Sequence, residues 1–327
     1  MKNNFVQEKE YGGYLEFEYF HGKEYHKDAY GFNTARQAFR YVLRERHIQK
    51  IYLPEYLCPV ILEACNQEGV TVKFYPVDKS FRPLVDKVSK DEWLYFINFY
   101  GQFDNNQIRI FHQQYPHMII DNTQAFFQKP LQDVDTIYTC RKFFGVTDGA
   151  YLYTQIPKNI YEQLPYDQSA KRVEYLIGRL ENNASAYYEE FKHIQRTYSG
   201  LSILRMSKFT RNMMKGINYD FVKRKRTNNF RHLNNILGEI NEIPLKCIEG
   251  GYMYPLFIKN ASQIRNKLIQ KKIFIPVFWP NDKLAKQIHS VAYHLTYDVL
   301  PLPIDQRYCE VDMDNISMVI LNAINGV

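Results

Sequence analysis

Short apolar runs alternate with helix-forming runs through the first half of this chain. The apolar runs, rich in β-branched and aromatic residues, cover residues 50–53, 70–77, 93–98 and 118–121. The helical runs cover residues 35–46, 59–68 and 107–114. This alternation predicts a largely parallel sheet covered by helices, because parallel neighbours need a long, usually helical connection.

The segments that follow these strands are candidates for a functional site. In open α/β sheets, ligands bind beyond the carboxyl ends of the strands. Pro54–Cys58, Phe99–Gln102 and Asp121–Gln124 all lie at such ends.

A lysine and an aspartate follow two of the strand-like runs. Lys142 comes just after residues 136–140, and Asp121 ends the run at 118–121. A pyridoxal-phosphate site requires such a pair: the lysine forms the Schiff base, and the carboxylate keeps the pyridine nitrogen protonated so that the ring accepts electrons. Taken singly, Lys142 is typical of a surface lysine and Asp121 of a turn or helix cap.

The helix that begins after Thr34 is a candidate anion site. Asn33 or Thr34 caps it, and Ala35 and Ala38 begin its apolar face. A capped helix start exposes backbone N–H groups and the positive end of the helix dipole, which suits a phosphate. The simpler interpretation is a helix cap without a ligand.

Composition and length limit the class of protein. The 327 residues, 45% of them hydrophobic, predict a globular protein of two domains. The change to long helical stretches after Pro157, followed by further strand and helix segments, indicates a large domain over residues 1–200 and a small one over 201–327. The net charge of +7 is compatible with anionic ligands. Five cysteines without metal spacing, no signal-peptide pattern and no membrane-length apolar run predict a cytoplasmic protein with reduced thiols and no membrane association.

The rest of the chain predicts further elements. Residues 11–20 alternate after a Gly-Gly turn and predict an edge strand. Helices are expected at 168–194, 208–215, 218–238, 261–271 and from Asp312, and strands at 250–257 and 273–277. The basic run Lys223–Arg226 is typical of a solvated helix face. No interleaved aromatic residues accompany it, so nucleic-acid binding is not expected.

Several segments together resemble the keto-sugar aminotransferases of DegT/StrS type, which are fold-type-I pyridoxal-phosphate enzymes. The resemblance covers about residues 30–325 and depends on the order of six segments. They are residues 33–36, 53–56, 100–102, 121–125, 141–149 and 302–308. It implies a large domain with a mostly parallel seven-stranded sheet and a smaller carboxyl-terminal α/β domain.

The resemblance also implies roles for individual residues. Lys142 would be the Schiff-base lysine, Asp121 the partner of the pyridine nitrogen, and Gln124 the contact on the phenolic side of the ring. The backbone amides of Thr34 and Ala35 would bind the cofactor phosphate.

The resemblance implies two further cofactor contacts, for which the sequence motifs are less specific. Thr139 would add a hydroxyl to the phosphate. The residue that stacks on the ring comes from the loop after Pro54. Tyr56 is our choice there, and Cys58 is the alternative because it is the closest aligned position.

This sequence departs from the family pattern in three places. Ile137 and Thr139 replace the serine and histidine that precede the lysine in the family, residues 147–150 replace a Gly-Glu-Gly-Gly segment, and the Asn-Tyr-Arg segment has no counterpart. The chain therefore resembles a divergent branch.

Two functional hypotheses follow. The first is an aminotransferase that moves an amino group from glutamate or glutamine to a keto-sugar, with small molecules as donor and acceptor. The second is a binding or regulatory protein that keeps the fold without turnover. The resemblance also implies a homodimer with shared sites, for which residues near Arg226 and Asn229 are the candidates to reach the partner's site. Residues 305–308 are expected to form a salt-bridged turn, and contact with the substrate is the alternative.

Overall fold

The predicted parallel sheet is present in the computed structural model, which describes residues 11–280 and 289–326. The strands are Tyr30–Phe32 (β1), Lys50–Pro54 (β2), Thr71–Tyr75 (β3), Trp93–Ile97 (β4), Met118–Asp121 (β5), Thr136–Thr139 (β6), Ala150–Tyr153 (β7), Met253–Phe257 (β8) and Val299–Pro303 (β9). The helices are Ala35–Glu45 (α1), Pro59–Gln67 (α2), Asn105–Gln114 (α3), Lys158–Glu162 (α4), Glu174–Glu181 (α5), Tyr188–Thr197 (α6), Lys208–Lys215 (α7), Tyr219–Leu237 (α8), Ala261–Gln270 (α9), Val291–Tyr297 (α10) and Glu310–Ile324 (α11).

Seven strands form the main sheet in the order β1-β7-β6-β5-β4-β2-β3. Strands β2 to β6 are parallel, and β7 and β1 add an antiparallel edge. The predicted mixed α/β fold with a mostly parallel seven-stranded sheet is therefore confirmed. Strands β8 and β9 form a separate antiparallel pair.

A second hydrophobic cluster surrounds the two-stranded sheet. Its buried side chains come from the second half of α8, from β8 and β9, and from α9 and α11, which together we call the small lobe. They include Phe230, Leu233, Tyr254, Leu300 and Met313. The division of the chain into domains at residue 200 stays a prediction.

The prediction of a strand at residues 11–20 was wrong. These residues form no strand, and Tyr14 and Leu15 are almost fully exposed. The side chain of Asn212 on α7 accepts from the N–H of Phe20 at 2.9 Å and donates to the carbonyl of Glu18 at 2.7 Å. Since a side-chain amide satisfies these backbone groups, no neighbouring strand is required.

Two further predictions of elements were wrong. The expected helix at 168–194 is divided into α5 and α6, because the side chain of Asn183 caps the N–H groups of Ser185 and Ala186 in a turn. Residues 273–277 form no strand. Pro276 lacks an N–H to donate, and Lys272 just before the segment has a positive φ of 61°.

The basic run Lys223–Arg226 does not form a uniformly solvated face. Arg226 is only 2% exposed. Its guanidinium donates to Oε1 of Gln306 at 2.9 Å, to the carbonyls of Gly251 and Tyr252 at 3.1 Å each, and to the carbonyl of Phe143 at 3.2 Å. Burial lowers its pKa to about 10. Arg226 thus joins the segments before β8 and after β9 to the residue after Lys142.

Asn229 is likewise occupied within its own chain. Its Nδ2 donates to the carbonyls of Ile304, Asp305 and Tyr308 at 3.2–3.3 Å. Arg226 and Asn229 themselves therefore do not reach a partner's site, since both side chains are buried inside this subunit. A contribution from residues near them stays a prediction. The expected turn at 305–308 is present, with Arg307 Nε 2.6 Å from Oδ1 of Asp305. Among the described residues, none of the helices has the length and apolarity to cross a membrane.

We expect Arg226→Ala to lower the free energy of unfolding by about 3 kcal/mol or more, because several buried carbonyls lose their donor. The matched control is Arg224→Ala, which removes an exposed arginine from the same run. It should change stability by less than about 0.5 kcal/mol. Urea unfolding measures both, and equal effects would contradict a structural role for Arg226.

Candidate functional site

The carboxylate of Asp121 is the most constrained group at the carboxyl ends of the strands. It ends β5 and is 6% exposed. The hydroxyl of Tyr95 donates to its Oδ2 at 2.8 Å, and the N–H of Thr123 donates to its Oδ1 at 2.7 Å. Both oxygens are therefore held by neutral donors.

Thr123 connects this carboxylate to the predicted lysine. The Nζ of Lys142 donates to Oγ1 of Thr123 at 2.8 Å. Lys142 follows β6, the parallel neighbour of β5, so adjacent strand ends bring the two residues together. The structure thus joins Asp121 and Lys142 through one threonine, as a site with both residues requires.

The amine of Lys142 is set up to be neutral more readily than an ordinary lysine. Burial lowers its pKa, and the charge of Asp121 acts in the opposite direction. The residue as a whole keeps some exposure, whereas its amine lies inside the protein. A neutral amine is the form that reacts with an aldehyde and accepts a proton.

Asp121 has no cationic partner among the ion pairs of residues 11–280 and 289–326. A buried carboxylate without an ion pair is costly unless hydrogen bonds or a bound cation compensate. The protonated ring nitrogen of pyridoxal phosphate is such a cation, so this donor set fits the cofactor.

The start of α1 also fits the phosphate of that cofactor, although not with both of the predicted amides. Thr34 caps the helix, since its Oγ1 accepts from the N–H of Gln37 at 3.2 Å. Its own N–H donates to Oδ1 of Asn33 at 3.0 Å and is therefore occupied. Within the described chain, the N–H groups of Ala35 and Arg36 have no hydrogen-bond partner. Ala35 and Arg36 therefore present the open amides.

Backbone hydrogen bonds bring this helix start close to Lys142. The N–H of Gly149 donates to the carbonyl of Asn33 at 2.7 Å, and the N–H of Cys140 donates to the carbonyl of Gly149 at 3.0 Å. Gly149 has a φ of 116°, and a Cβ there would lie 3.0 Å from Sγ of Cys140. A side chain at this position would separate α1 from the lysine loop.

Arg36 adds a positive charge that sequence analysis did not assign. Its Nη1 is buried without a hydrogen bond; it lies 3.4 Å from Oε2 of Glu63 but is not aligned for one. Burial lowers the pKa of Arg36, the charge of Glu63 raises it, and the charge of Arg141 lowers it. Two neighbouring arginines with an open donor favour an anion at this end of α1.

Gln124 and Thr139 each have a side-chain group that is available for a further hydrogen bond. Gln124 is 1% exposed, and its Oε1 accepts from the N–H of Tyr100 at 2.7 Å. In the described chain no partner is found for its Nε2, which leaves that group able to donate. The hydroxyl of Thr139 makes only a long contact of 3.5 Å with the carbonyl of Gly149.

Tyr56 and Cys58, in the loop after Pro54, have different surroundings. Tyr56 is 1% exposed and packs on the rings of Phe99 and Trp279, with centroids 5.3 Å and 4.5 Å away. The pKa of the Cys58 thiol is raised by burial and responds to the charges of Lys142, Arg36 and Asp121. This arrangement favours Cys58 as the neighbour of a ligand on Lys142.

An aromatic wall from the second half of the chain reaches Lys142 through one of its rings. It consists of Tyr252, Phe278 and Trp279. The ring centroid of Tyr252 is 5.5 Å from Nζ of Lys142. Phe278 lies nearly parallel to Tyr252 at 6.3 Å, and Trp279 stacks on Phe278 at 5.6 Å. No local motif marked these residues, because Tyr252 reaches Lys142 from a distant part of the chain, and Phe278 and Trp279 pack against the main hydrophobic core.

Asp121→Asn in the cofactor-free protein should lower the pKa of Lys142 further. The substitution removes the charge that raises this pKa, whereas burial continues to lower it. Each unit of decrease enlarges the neutral fraction at neutral pH about tenfold. The rate of Lys142 labelling by an amine-reactive reagent, followed against pH by mass spectrometry, should therefore rise at neutral pH. The exposed Lys158 is the internal control. If the pH dependence of Lys142 labelling is unchanged, or moves to higher pH, the charge of Asp121 does not raise the pKa of Lys142.

No family model matches the sequence, and no curated protein matches it. Solved structures do. A DegT DnrJ EryC1 StrS aminotransferase from Brucella abortus has a TM-score of 0.62 and 15% identity over 90% of this chain and 85% of that chain. Helicobacter pylori PseC, an aminotransferase involved in the biosynthesis of pseudoaminic acid, has a TM-score of 0.64 and 12% identity. The match covers 91% of this chain and 86% of that chain.

A third similar structure was solved with a cofactor. NtdA from Bacillus subtilis, with PMP bound, has a TM-score of 0.63 and 9% identity over 91% of this chain and 73% of that chain. At such identities these likenesses establish the fold. The chain therefore has the fold of the DegT/StrS-type aminotransferases, in agreement with the resemblance seen in its sequence.

Proposed function

We propose that this protein is a pyridoxal-phosphate-dependent aminotransferase that moves an amino group from glutamate or glutamine to a keto-sugar, including nucleotide-linked ones, in cell-surface polysaccharide or related biosynthesis. The observation that carries the proposal is the buried linkage of Asp121, Thr123 and Lys142 at adjacent strand ends. A protein retired from catalysis has no need to keep this pair, so we favour the enzyme over a binding protein.

Lys142 and Asp121 have separate roles in this proposal. When bound, the cofactor supplies an electron sink for the carbon that carries the amino group. Lys142 would hold the cofactor, and its amine, released by the donor, would then move a proton between that carbon and C4′ of the cofactor. Asp121 would keep a proton on the ring nitrogen, and Nε2 of Gln124 would donate to the phenolic oxygen.

The phosphate of the cofactor would lie at the start of α1. The open amides of Ala35 and Arg36 and the positive helix end favour an anion there. Thr34 would contribute its hydroxyl and the shape of the cap rather than its amide. The hydroxyl of Thr139 and the guanidinium of Arg36 would complete the binding site.

The loop after Pro54 would cover one face of the ring. Cys58 is our proposal for the residue in contact, because its thiol responds to the charges of Lys142 and Asp121. Tyr56 would then stabilise the loop by packing on Phe99. A thiol offers less contact area than an aromatic ring, which would weaken the hold on the cofactor.

A keto-sugar acceptor is supported by the aromatic wall and by the charge of the chain. Flat aromatic surfaces are common in small-molecule sites, and Tyr252 lies beside the reacting amine. The net charge of +7 assists the approach of a phosphorylated substrate. The similar structures from Brucella abortus and Helicobacter pylori are aminotransferases, and the latter acts in pseudoaminic acid biosynthesis.

We also propose a cytoplasmic homodimer. All five cysteines are free, as reducing conditions require, and cell fractionation tests the location. The exposed aromatic side chains of residues 11–20, among them Tyr11, Tyr14 and Tyr19, offer apolar area for a subunit interface. Light scattering at low concentration should therefore give twice the mass of the chain, and an active monomer would contradict the dimer.

The cofactor claim is tested by covalent capture. Protein mixed with pyridoxal phosphate and reduced with borohydride should carry the label on the peptide that contains Lys142, because this amine is buried, partly neutral and next to Asp121. Lys142→Ala should abolish the label, and Lys158→Ala, a change at an exposed lysine, should not. Label on another lysine would remove the assignment of Lys142.

The transfer claim is tested by substrates added to the loaded enzyme. Glutamate or glutamine should change the absorption of the bound cofactor, and a keto-sugar should restore it. Restoration by small 2-oxo acids but not by keto-sugars would keep the mechanism and remove the substrate class. Capture on Lys142 without a response to any amino donor would favour the binding protein.

A further inference from the structure

Tyr95 lies in the strand next to Asp121 and on the same side of the sheet. Strands β4 and β5 are parallel, with Ile97 opposite Asp121 in the register. Tyr95 is two residues before Ile97, so the two share a face, and the long phenol side chain spans the two-residue offset. Its hydroxyl reaches Oδ2 of Asp121 at 2.8 Å.

The ring of Tyr95 is fixed on several sides. It is 1% exposed and packs on Phe39 of α1, with centroids 4.6 Å apart. The backbone carbonyl of Tyr95 accepts from the hydroxyl of Tyr75 at 2.8 Å. A phenol held by a helix and by its own sheet offers its hydroxyl in one direction, toward Asp121.

The hydroxyl of Tyr95 acts as a donor under all ordinary conditions. Burial and the charge of Asp121 raise its pKa well above the ordinary value for tyrosine. With the N–H of Thr123 on the other oxygen, it supports the carboxylate without neutralising its charge. A lysine or arginine in its place would cancel the charge that a cationic ligand needs.

We infer that Tyr95 is a positioning residue that orients Asp121 and supports its charge for the ring nitrogen of pyridoxal phosphate. This inference rests on the proposed function. The competing interpretation is that Tyr95 is only a buried core residue whose hydroxyl needs an acceptor. The two differ in one respect: a positioning residue affects only ligands that carry the ring nitrogen.

The experiment compares two ligands on the full-length protein. One is pyridoxal phosphate, and the other is its deaza analogue, in which carbon replaces the ring nitrogen while the aldehyde and phosphate remain. Dissociation constants are measured by fluorescence quenching. Tyr95→Phe should weaken the binding of pyridoxal phosphate by roughly ten- to a hundredfold, as expected for a lost hydrogen bond to a charged group. It should change the affinity for the analogue by less than about threefold.

Two control variants separate support of Asp121 from general damage. Tyr75→Phe removes a buried tyrosine hydrogen bond of the same 2.8 Å length, which ends on the backbone of Tyr95 and not on Asp121. It should leave the ratio of the two affinities unchanged. Asp121→Asn should remove most of the preference for pyridoxal phosphate. Adding Tyr95→Phe to Asp121→Asn should then have no further effect on that ratio.

Equal weakening of both ligands by Tyr95→Phe, as for a core residue, would overturn the inference. Should Tyr95→Phe fail to fold, a ring-fluorinated tyrosine at position 95 keeps the packing and strengthens the donor. The affinity ratio should then rise, and an unchanged ratio would overturn the inference by this route. If the unaltered protein binds neither ligand, the proposed function itself fails. That result differs from normal binding of pyridoxal phosphate with an affinity ratio that Tyr95→Phe leaves unchanged, which would refute only the role of Tyr95.

Discussion

A buried negative charge at the end of β5 is the constraint on which the arrangement of this site depends. Asp121 has no ion-pair partner in the described part of the chain, so neutral donors stabilise it, one from Tyr95 and one from the backbone of Thr123. Because Thr123 also accepts from Lys142, one of the two residues that support the charge also sets the place of the amine. Removing the carboxylate would change the environment of the lysine as well as the ligand it can hold.

The sheet and the small lobe supply different parts of this arrangement. Adjacent parallel strands bring Asp121 and Lys142 to one edge, and the start of α1 is tied to that edge through Gly149. Residues next to the small lobe reach the same place. Arg226 and Gln306 both donate to the carbonyl of Phe143, next to Lys142, at 3.2 Å and 2.8 Å. The position of the lysine loop is therefore coupled to the packing of the small lobe.

Much of the main sheet was predictable from the sequence, and the exceptions have physical causes. The parallel strands follow from apolar runs separated by helical periodicity, which are local patterns. The strand expected at residues 11–20 failed because the alternation of apolar and polar residues says nothing about whether a neighbouring edge is available. The prediction of a solvated face for the run Lys223–Arg226 failed for a related reason. Four consecutive residues on a helix point around its whole circumference, so one of them, Arg226, faces inward.

For the candidate site, the sequence alone determined which residue types follow which strands, namely Asp121 after β5, Lys142 after β6 and Thr34 before α1. Those placements depend on strand and helix periodicity and on capping, which are properties of neighbouring residues. Only the tertiary structure decided that Thr123 links the lysine to the aspartate, that Tyr95 supports the carboxylate, and that the charges of Lys142 and Asp121 act on the thiol of Cys58. These contacts join residues far apart in the chain, and their partners are selected by packing and by the cost of leaving buried polar groups unsatisfied, neither of which a local pattern records.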